Sequence, residues 1–215
     1  FGVEHGNEEF RKKIIDRRWK NTDIIEKLKI PKKHEIAFSV NNITGFPTET
    51  KKLAFDTIEL NREIDSDNSN IYSFVPFHGT PLRRMCEDLG LVNSEKITKC
   101  VTSESQITMP QYPPSEIEEI KKCFALYVKF PKNRWKEIER AEKNDDEGNK
   151  IYANLKKEFN HYVVLSAPTR FVRDWIVSRY ADKILDIIKV FKQSIERIEF
   201  LIDENDIKSI KKTSI

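Results

Sequence analysis

The chain has 215 residues, 38% of them hydrophobic and 34% charged, with a formal charge of +3 at neutral pH. This balance predicts a water-soluble protein with a core and a heavily charged surface. It excludes a helical membrane protein, since no apolar run approaches the roughly 20 residues of a spanning helix, and so mild a charge allows a nucleic-acid partner without arguing for one.

Phe1–Glu4 reads as the end of a strand. In "NEEFRKKIIDRR", Phe10, Ile14 and Ile15 recur at helical spacing, with acids first and bases last as the helix dipole favours. "NTDIIEKLKI" predicts a second helix with Asn21 or Thr22 as its N-cap. The β-rich "HEIAFSVNNI" runs into the turn "TGFPTET" and then a helix from about Thr48 to Ile64, with Leu53, Ile58, Leu60 and Ile64 on its apolar side. "NIYSFVPF" predicts another strand, and "HGTPLRRMCEDLG" a turn, a helix and a stop at Gly90. Further on, "DDEGNKIYANLKKEFN" predicts a helix leading to a junction, and "HYVVLSAP" a strand. "TRFVRDWIVSRYADKILDIIKVFKQ" then predicts one long helix capped by Thr169, with Phe171, Trp175, Val177, Ile184, Ile187, Ile188 and Phe191 supplying apolar faces. "IERIEFLID" alternates like a half-buried strand, and the polar "ENDIKSIKKTSI" reads as a frayed tail.

The three cysteines, Cys86, Cys100 and Cys123, are odd in number and far apart. No CxxC pairing exists, so local spacing builds neither a zinc nor an iron–sulfur site. Cys86 and Cys123 lie in apolar-patterned helices and read as small buried thiols, which suits a reducing cytoplasm. The start at Phe1, with no initiator Met and no basic leader followed by an apolar segment, reads as that of a fragment or a processed product.

The opening βαβαβα order predicts parallel strands covered by helices, and ligands of such sheets meet the carboxyl ends of the strands. Three segments fall there: "GVEHGN", "NNITGFPTET" and "FVPFHGTPL". Any one of them is an ordinary strand-to-helix turn, but all three carry Gly at successive strand ends.

In that order and spacing, the three segments resemble the later half of the barrel of the radical S-adenosylmethionine (SAM) superfamily. "FGVEHGNEEFRKKI" is similar to its fourth strand and following helix, "NITGFPTET" to the turn after its fifth strand, and "FVPFHGTPLRRMCEDLGLV" to its sixth strand and turn. "YPPSEIEEIKKCFALYVKFPKNRWKEIERAEK" looks like the helical tail of members that also carry a cobalamin-binding domain. The resemblance runs over residues 1–159. It implies a partial parallel (β/α) barrel, its last three βα units in residues 1–92, followed by a helical extension over 93–159. It also implies a SAM pocket: Glu4 toward the ribose or methionine part, the backbone of Ile43, Thr44, Gly45 and Phe46 along the adenine, and Val75, Pro76 and Phe77 closing the pocket. Arg17 or Arg18 would meet the SAM carboxylate, for which a guanidinium fork is suited. His5 and His78 lie beside two of the turns, where either could shuttle a proton or be polar surface. The family's cluster loop, three cysteines after the first strand, has no counterpart among these residues. The [4Fe–4S] cluster, like cobalamin, is therefore expected only in the full-length family, no catalytic or metal-ligating residue is assigned here, and the chain is expected to be inactive alone.

Residues 160–203 resemble the second half of the amino-terminal domain of DnaA, the bacterial replication initiator, through "LSAPTRFVRDWIVSRYADKI". That implies a small α+β strand–helix–strand unit within residues 160–215, acting as an interaction module for self-association and helicase loading. No Walker loop is present to support ATP binding, and no direct nucleic-acid site is evident. Three readings follow: a radical SAM fragment whose partner is the missing first half of the barrel, a replication-initiation module binding protein through residues 161–203, or an inactive fusion or remnant. Each is expected in the cytoplasm, and no membrane partner is expected.

Overall fold

The first strand is short because Glu4 turns out of it into the left-handed region, at φ +69. A non-glycine residue adopts that conformation only where its surroundings hold it. The computed structural model describes residues 1–191, 195 and 197–202. In it β1 (Gly2–Glu4), β2 (Ser39–Thr44) and β3 (Asn68–Ser73) form a parallel sheet in the order β1-β2-β3. Strands adjacent in sequence are thus adjacent in space, as helical crossovers allow. Helices α1 (Glu8–Ile15) and α2 (Asn21–Lys33) connect β1 to β2, and α3 (Lys51–Ile64) connects β2 to β3. After β3 come α4 (Pro81–Asp88), α5 (Pro114–Lys129), a 3₁₀ turn (Lys132–Arg134), α6 (Trp135–Glu142) and α7 (Asp146–His161). The parallel strand–helix order expected over the first ninety residues is present.

One core lies between the sheet and its crossovers: Val3, Leu28, Phe38, Val40, Leu60 and Ile64, with Ile24 and Ile25 packed against it. Behind β2 a reciprocal amide pair runs through buried ground. Asn42 Nδ2 donates to Asn61 Oδ1 (3.0 Å) and Asn61 Nδ2 to Asn42 Oδ1 (2.9 Å), while Asn42 also reaches the carbonyl of Asn70 on β3 (3.0 Å). Buried amides persist only when satisfied, so this pair sets the height of α3 against β2 and β3. Helix α5 packs on both α3 and β3, burying Ile117, Ile120, Cys123, Phe124 and Tyr127. Arg62 of α3 closes its far end, donating from Nη1 to the carbonyls of Tyr127, Val128 and Phe130. Residues 1–152 accordingly form one compact unit.

Two element boundaries differ from expectation. Helix α2 is preceded by Lys20, which makes no side-chain cap, and neither Asn21 nor Thr22 caps it. Asn21 is engaged elsewhere: its Nδ2 donates to the Gly6 carbonyl (2.7 Å) and its Oδ1 accepts from Arg11 (2.9 Å). Helix α3 begins at Lys51 rather than Thr48, because Thr48 sits at φ +70, which no helix contains, and Thr50 is its N-cap. Asn7 caps α1 and Thr80 caps α4, each accepting from the backbone N–H three residues on.

Gly6 packs directly on α3. Its N–H donates to Thr57 Oγ1 (2.9 Å), and a Cβ built on it would overlap the backbone of Asp56 and Thr57. Gly6→Ala is expected to destabilise residues 1–152 by about 2–4 kcal/mol, since backbone rather than a flexible side chain must yield. Amide exchange of α3 peptides reads this as lost protection.

The second unit begins at Ala153, within α7. Strand β4 (Tyr162–Ala167) pairs in parallel with β5 (Arg197–Ile202), from Tyr162↔Arg197 to Ala167↔Ile202. Helix α8 (Arg170–Phe191) links them, with Thr169 Oγ1 accepting from the Val172 N–H (3.2 Å). The expected strand–helix–strand order and the Thr169 cap are both present. The apolar faces expected of α8 are not buried ones: no residue of the helix is buried, and Phe171 and Phe191 are 79% and 86% exposed. The tail expected to fray, from Glu204 on, lies outside the described residues.

Candidate ligand site at the strand ends

Because the three strands of the first sheet are parallel, their carboxyl ends and the loops that follow share one edge. The middle loop is folded around a carboxylate. Glu49 is fully buried, and its Oε2 accepts the backbone N–H groups of Gly45 (2.6 Å) and Phe46 (2.9 Å). Its Oε1 accepts from Thr44 Oγ1 (3.2 Å) and from His5 Nε2 (3.3 Å). The tautomer of His5 follows from its other contact. Nδ1 accepts the Asn7 N–H (3.1 Å), which leaves the proton on Nε2 facing Glu49. Tyr112, also fully buried, shares a hydrogen bond with Thr44 (3.2 Å), and burial together with the charge of Glu49 raises its phenol well above the ordinary range. Gly45 is required here, since it stands at φ +82 with Ile117 Cδ1 3.0 Å from where a Cβ would be.

Two buried arginines hold the flanking loops. Arg11 donates to the carbonyls of His5 and Trp19 (2.6 Å for the latter) and to Asn21 Oδ1, tying the β1 turn to the segment after α1. Arg83 donates to the carbonyls of Pro76 (3.3 Å), Lys96 (3.1 Å), Asn93 (2.8 Å) and Ser94 (2.9 Å), tying the β3 turn to the segment after α4.

Between these loops lies a cleft of about 360 Å³. Glu4, Ile43, Phe46, Val75 and Phe77, all implicated from sequence, line it together with Tyr72 and Phe74. Arg17 lines it as well, 3.8 Å from Glu4 and over the ring of Trp19 at 5.0 Å. Arg18 does not: its guanidinium is 74% exposed and bonds Asp16 (2.9 Å). Thr44, Gly45 and Pro76 stand behind the wall, the first two bonded to Glu49 and the last offering its carbonyl to Arg83. His5 is enclosed behind Phe46, whereas His78 is exposed. The cleft therefore offers an apolar, aromatic body and, near one end, charges of both signs. That suits a flat ring carrying a zwitterionic arm.

Glu49, Arg11, Arg83 and Tyr112 carry the site's framework and were not singled out from sequence. For Glu49 a signal existed, an acid directly before the helix-capping Thr50 in a Gly/Pro turn. For the two arginines there was none.

No group of three His, Cys, Asp or Glu side chains that could hold a metal exists among the described residues. Cys86 and Cys123 are buried, and burial pushes their thiols up to about 11 and about 12, while Cys100 is exposed with its thiol lowered by hydrogen bonds from Thr102. An iron–sulfur cluster does not fit these residues. A thiol reagent at pH 8 is expected to label Cys100 in the folded chain at least tenfold faster than Cys86 or Cys123, which react only on unfolding. Mass spectrometry of timed digests measures the three rates.

Two kinds of known protein match part of this chain. The family model for the DnaA N-terminal domain matches residues 150–190. A tRNA-2-methylthio-N(6)-dimethylallyladenosine synthase of Halalkalibacterium halodurans is 32% identical over 102 residues, covering 45% of this chain and 18% of that protein. A protein of the same name from Geobacillus thermodenitrificans is 26% identical over 125 residues, covering 54% of this chain and 23% of that one. The chain thus spans about a fifth of the length of the curated relatives it matches.

Proposed function

We propose that the first unit is the SAM-binding part of a radical SAM enzyme, the last three βα units of its (β/α) barrel, and that it acts with residues supplied from elsewhere in that barrel. One observation carries this reading: Glu4, Arg17, Ile43, Phe46, Val75 and Phe77, brought from three strand ends, line one cleft. The similarity to the two synthases supports it. When bound in such an enzyme, SAM would supply the radical chemistry. The work of this chain is binding. Arg17 presents a fork to the carboxylate and Glu4 an anion to the ammonium group. Phe46, Ile43 and Val75 exclude water from the adenine, and Glu49 fixes the loop that carries Gly45 and Phe46. The described residues do not fit a cluster. The cobalamin-binding subgroup rests on the stretch Tyr112–Lys143, which folds as α5, a turn and α6 against α3 and β3.

Calorimetric titration with SAM and with S-adenosylhomocysteine tests the reading. The wild-type chain is expected to bind both, and Arg17→Ala to bind about tenfold more weakly, a loss of about 1.4 kcal/mol. Arg17 is 43% exposed, so amide protection of the first unit is expected to stay unchanged. Absence of binding to the wild type, or equal affinity of the variant, overturns it.

A second reading, a protein-interaction module in replication initiation, is favoured for the second unit by the unburied apolar residues of α8 and by the match to the DnaA N-terminal domain. Pull-down with the whole chain against purified initiator and replicative helicase decides it, and retention of neither removes it. Both readings place the protein in the cytoplasm, and no helix among the described residues is long and apolar enough to cross a membrane.

A further inference from the structure

A second and larger cleft, about 590 Å³, lies on the other side of α1 and α4. The two helices divide it from the strand-end cleft residue by residue: Ile14 and Pro81 face this one, while Ile15 and Leu82, their immediate neighbours, face the other. Its apolar lining is Ile14, Met85 and the half-exposed Leu89. Lys13 from α1 and Arg84 from α4 add two cations, against the single carboxylate of Asp88. Neither cation has an ion-pair or hydrogen-bond partner among the described residues, and Arg84 leaves Asp88, one turn away on its own helix, unpaired. Arg83, the preceding residue, has the opposite fate, buried with its donors on four carbonyls and on the Glu87 carboxylate. Two like charges from separate helices at one concavity repel each other until an anion joins them. The apolar surface beside them gains about 25 cal/mol for each Å² covered. The volume lies within the range of small-molecule sites.

We propose that this cleft binds an amphipathic anion, its carboxylate or phosphate head held by Lys13 and Arg84 and its apolar body laid on Ile14, Met85 and Leu89. The site is independent of the SAM reading, whose cleft lies across the helices. Backbone-resolved NMR titration of the whole chain with octanoate, octyl phosphate, octylammonium and inorganic phosphate, all below micelle formation, is the test. Octanoate or octyl phosphate is expected to bind at millimolar concentration or tighter and to shift residues 13–14 and 84–89, the tighter of the two identifying the head group. Inorganic phosphate alone is expected to bind at least tenfold more weakly than octyl phosphate. Lys13→Gln with Arg84→Gln, both at exposed positions, is expected to weaken binding at least tenfold while the remaining spectrum is retained. Equal binding of octylammonium, unchanged affinity in the double variant, or no binding of either anion overturns the proposal. SAM plays no part in these readouts, so their failure leaves the strand-end cleft untouched.

Discussion

Glu49→Leu is expected to cost residues 1–152 about 3–5 kcal/mol of stability and to abolish SAM binding. Four donors converge on this carboxylate, two of them backbone N–H groups in a loop that has no other means of satisfying them. Leucine fills the volume and accepts nothing. Its effect should concentrate at Gly45 and Phe46, and through the unpaired Nε2–H of His5 it should spread to the β1 turn. Glu49→Gln keeps one acceptor but turns an amide N–H₂ toward donors, so it is expected to lose about half as much. Amide exchange followed by mass spectrometry suits this measurement, because a two-unit chain has no single unfolding free energy. The expected result is lost protection in β2 and α3 with α8 unchanged. Equal protection in Glu49→Leu and wild type would show that the loop is held by something else.

Arg83→Met is expected to destabilise the segment from Pro76 to Lys96 by about 2–4 kcal/mol, the cost of removing the hydrogen bonds of a buried guanidinium. Methionine preserves much of the packing of the side chain but none of its bonds. Arg83→Lys is not expected to rescue, since one ammonium cannot span acceptors spread over Pro76, Asn93, Ser94 and Lys96. Trypsin under native conditions reads the outcome. Cleavage after Lys96 and Lys99 should accelerate at least tenfold in both variants, and an unchanged rate would mean that the segment holds its place without the clamp.

These two clamps also show where reading from sequence stopped. The strands, the order of the helices and the gathering of three turns on one edge follow from periodicity and from Gly and Pro, which act locally. Glu49, Arg11 and Arg83 belong to residue types that normally remain in water, and what buries them is the folding of loops around them: Glu49 accepts from Thr44, Gly45 and Phe46 in its own turn and from His5, 44 residues away, at spacings that no helix or strand period marks. Nothing within a helical turn distinguishes buried Arg83 from exposed Arg84. Arg17 and Arg18 are alike in sequence for the same reason, and of the two it is Arg17, not the expected Arg18, that lines the cleft, while Arg18 bonds the left-handed Asp16 that ends α1. In α8 the limit was different. Helical spacing of apolar residues reports what a helix is able to bury, and none of its residues is buried.

The Asn42–Asn61 pair has a consequence at the far side of the sheet. β1 ends one side of its sheet and pairs, with an irregularity between Gly2 and Glu4, to β2, which the amide pair anchors from behind. A strand adding beside β1 therefore meets hydrogen-bonding groups of fixed phase, with no freedom to slide into agreement. A shift of one residue would turn every incoming side chain to the wrong face. Complementation by a separate polypeptide should accordingly depend on the phase of its strand: one residue inserted in the middle of that strand abolishes it, and one added only before the strand leaves it unchanged.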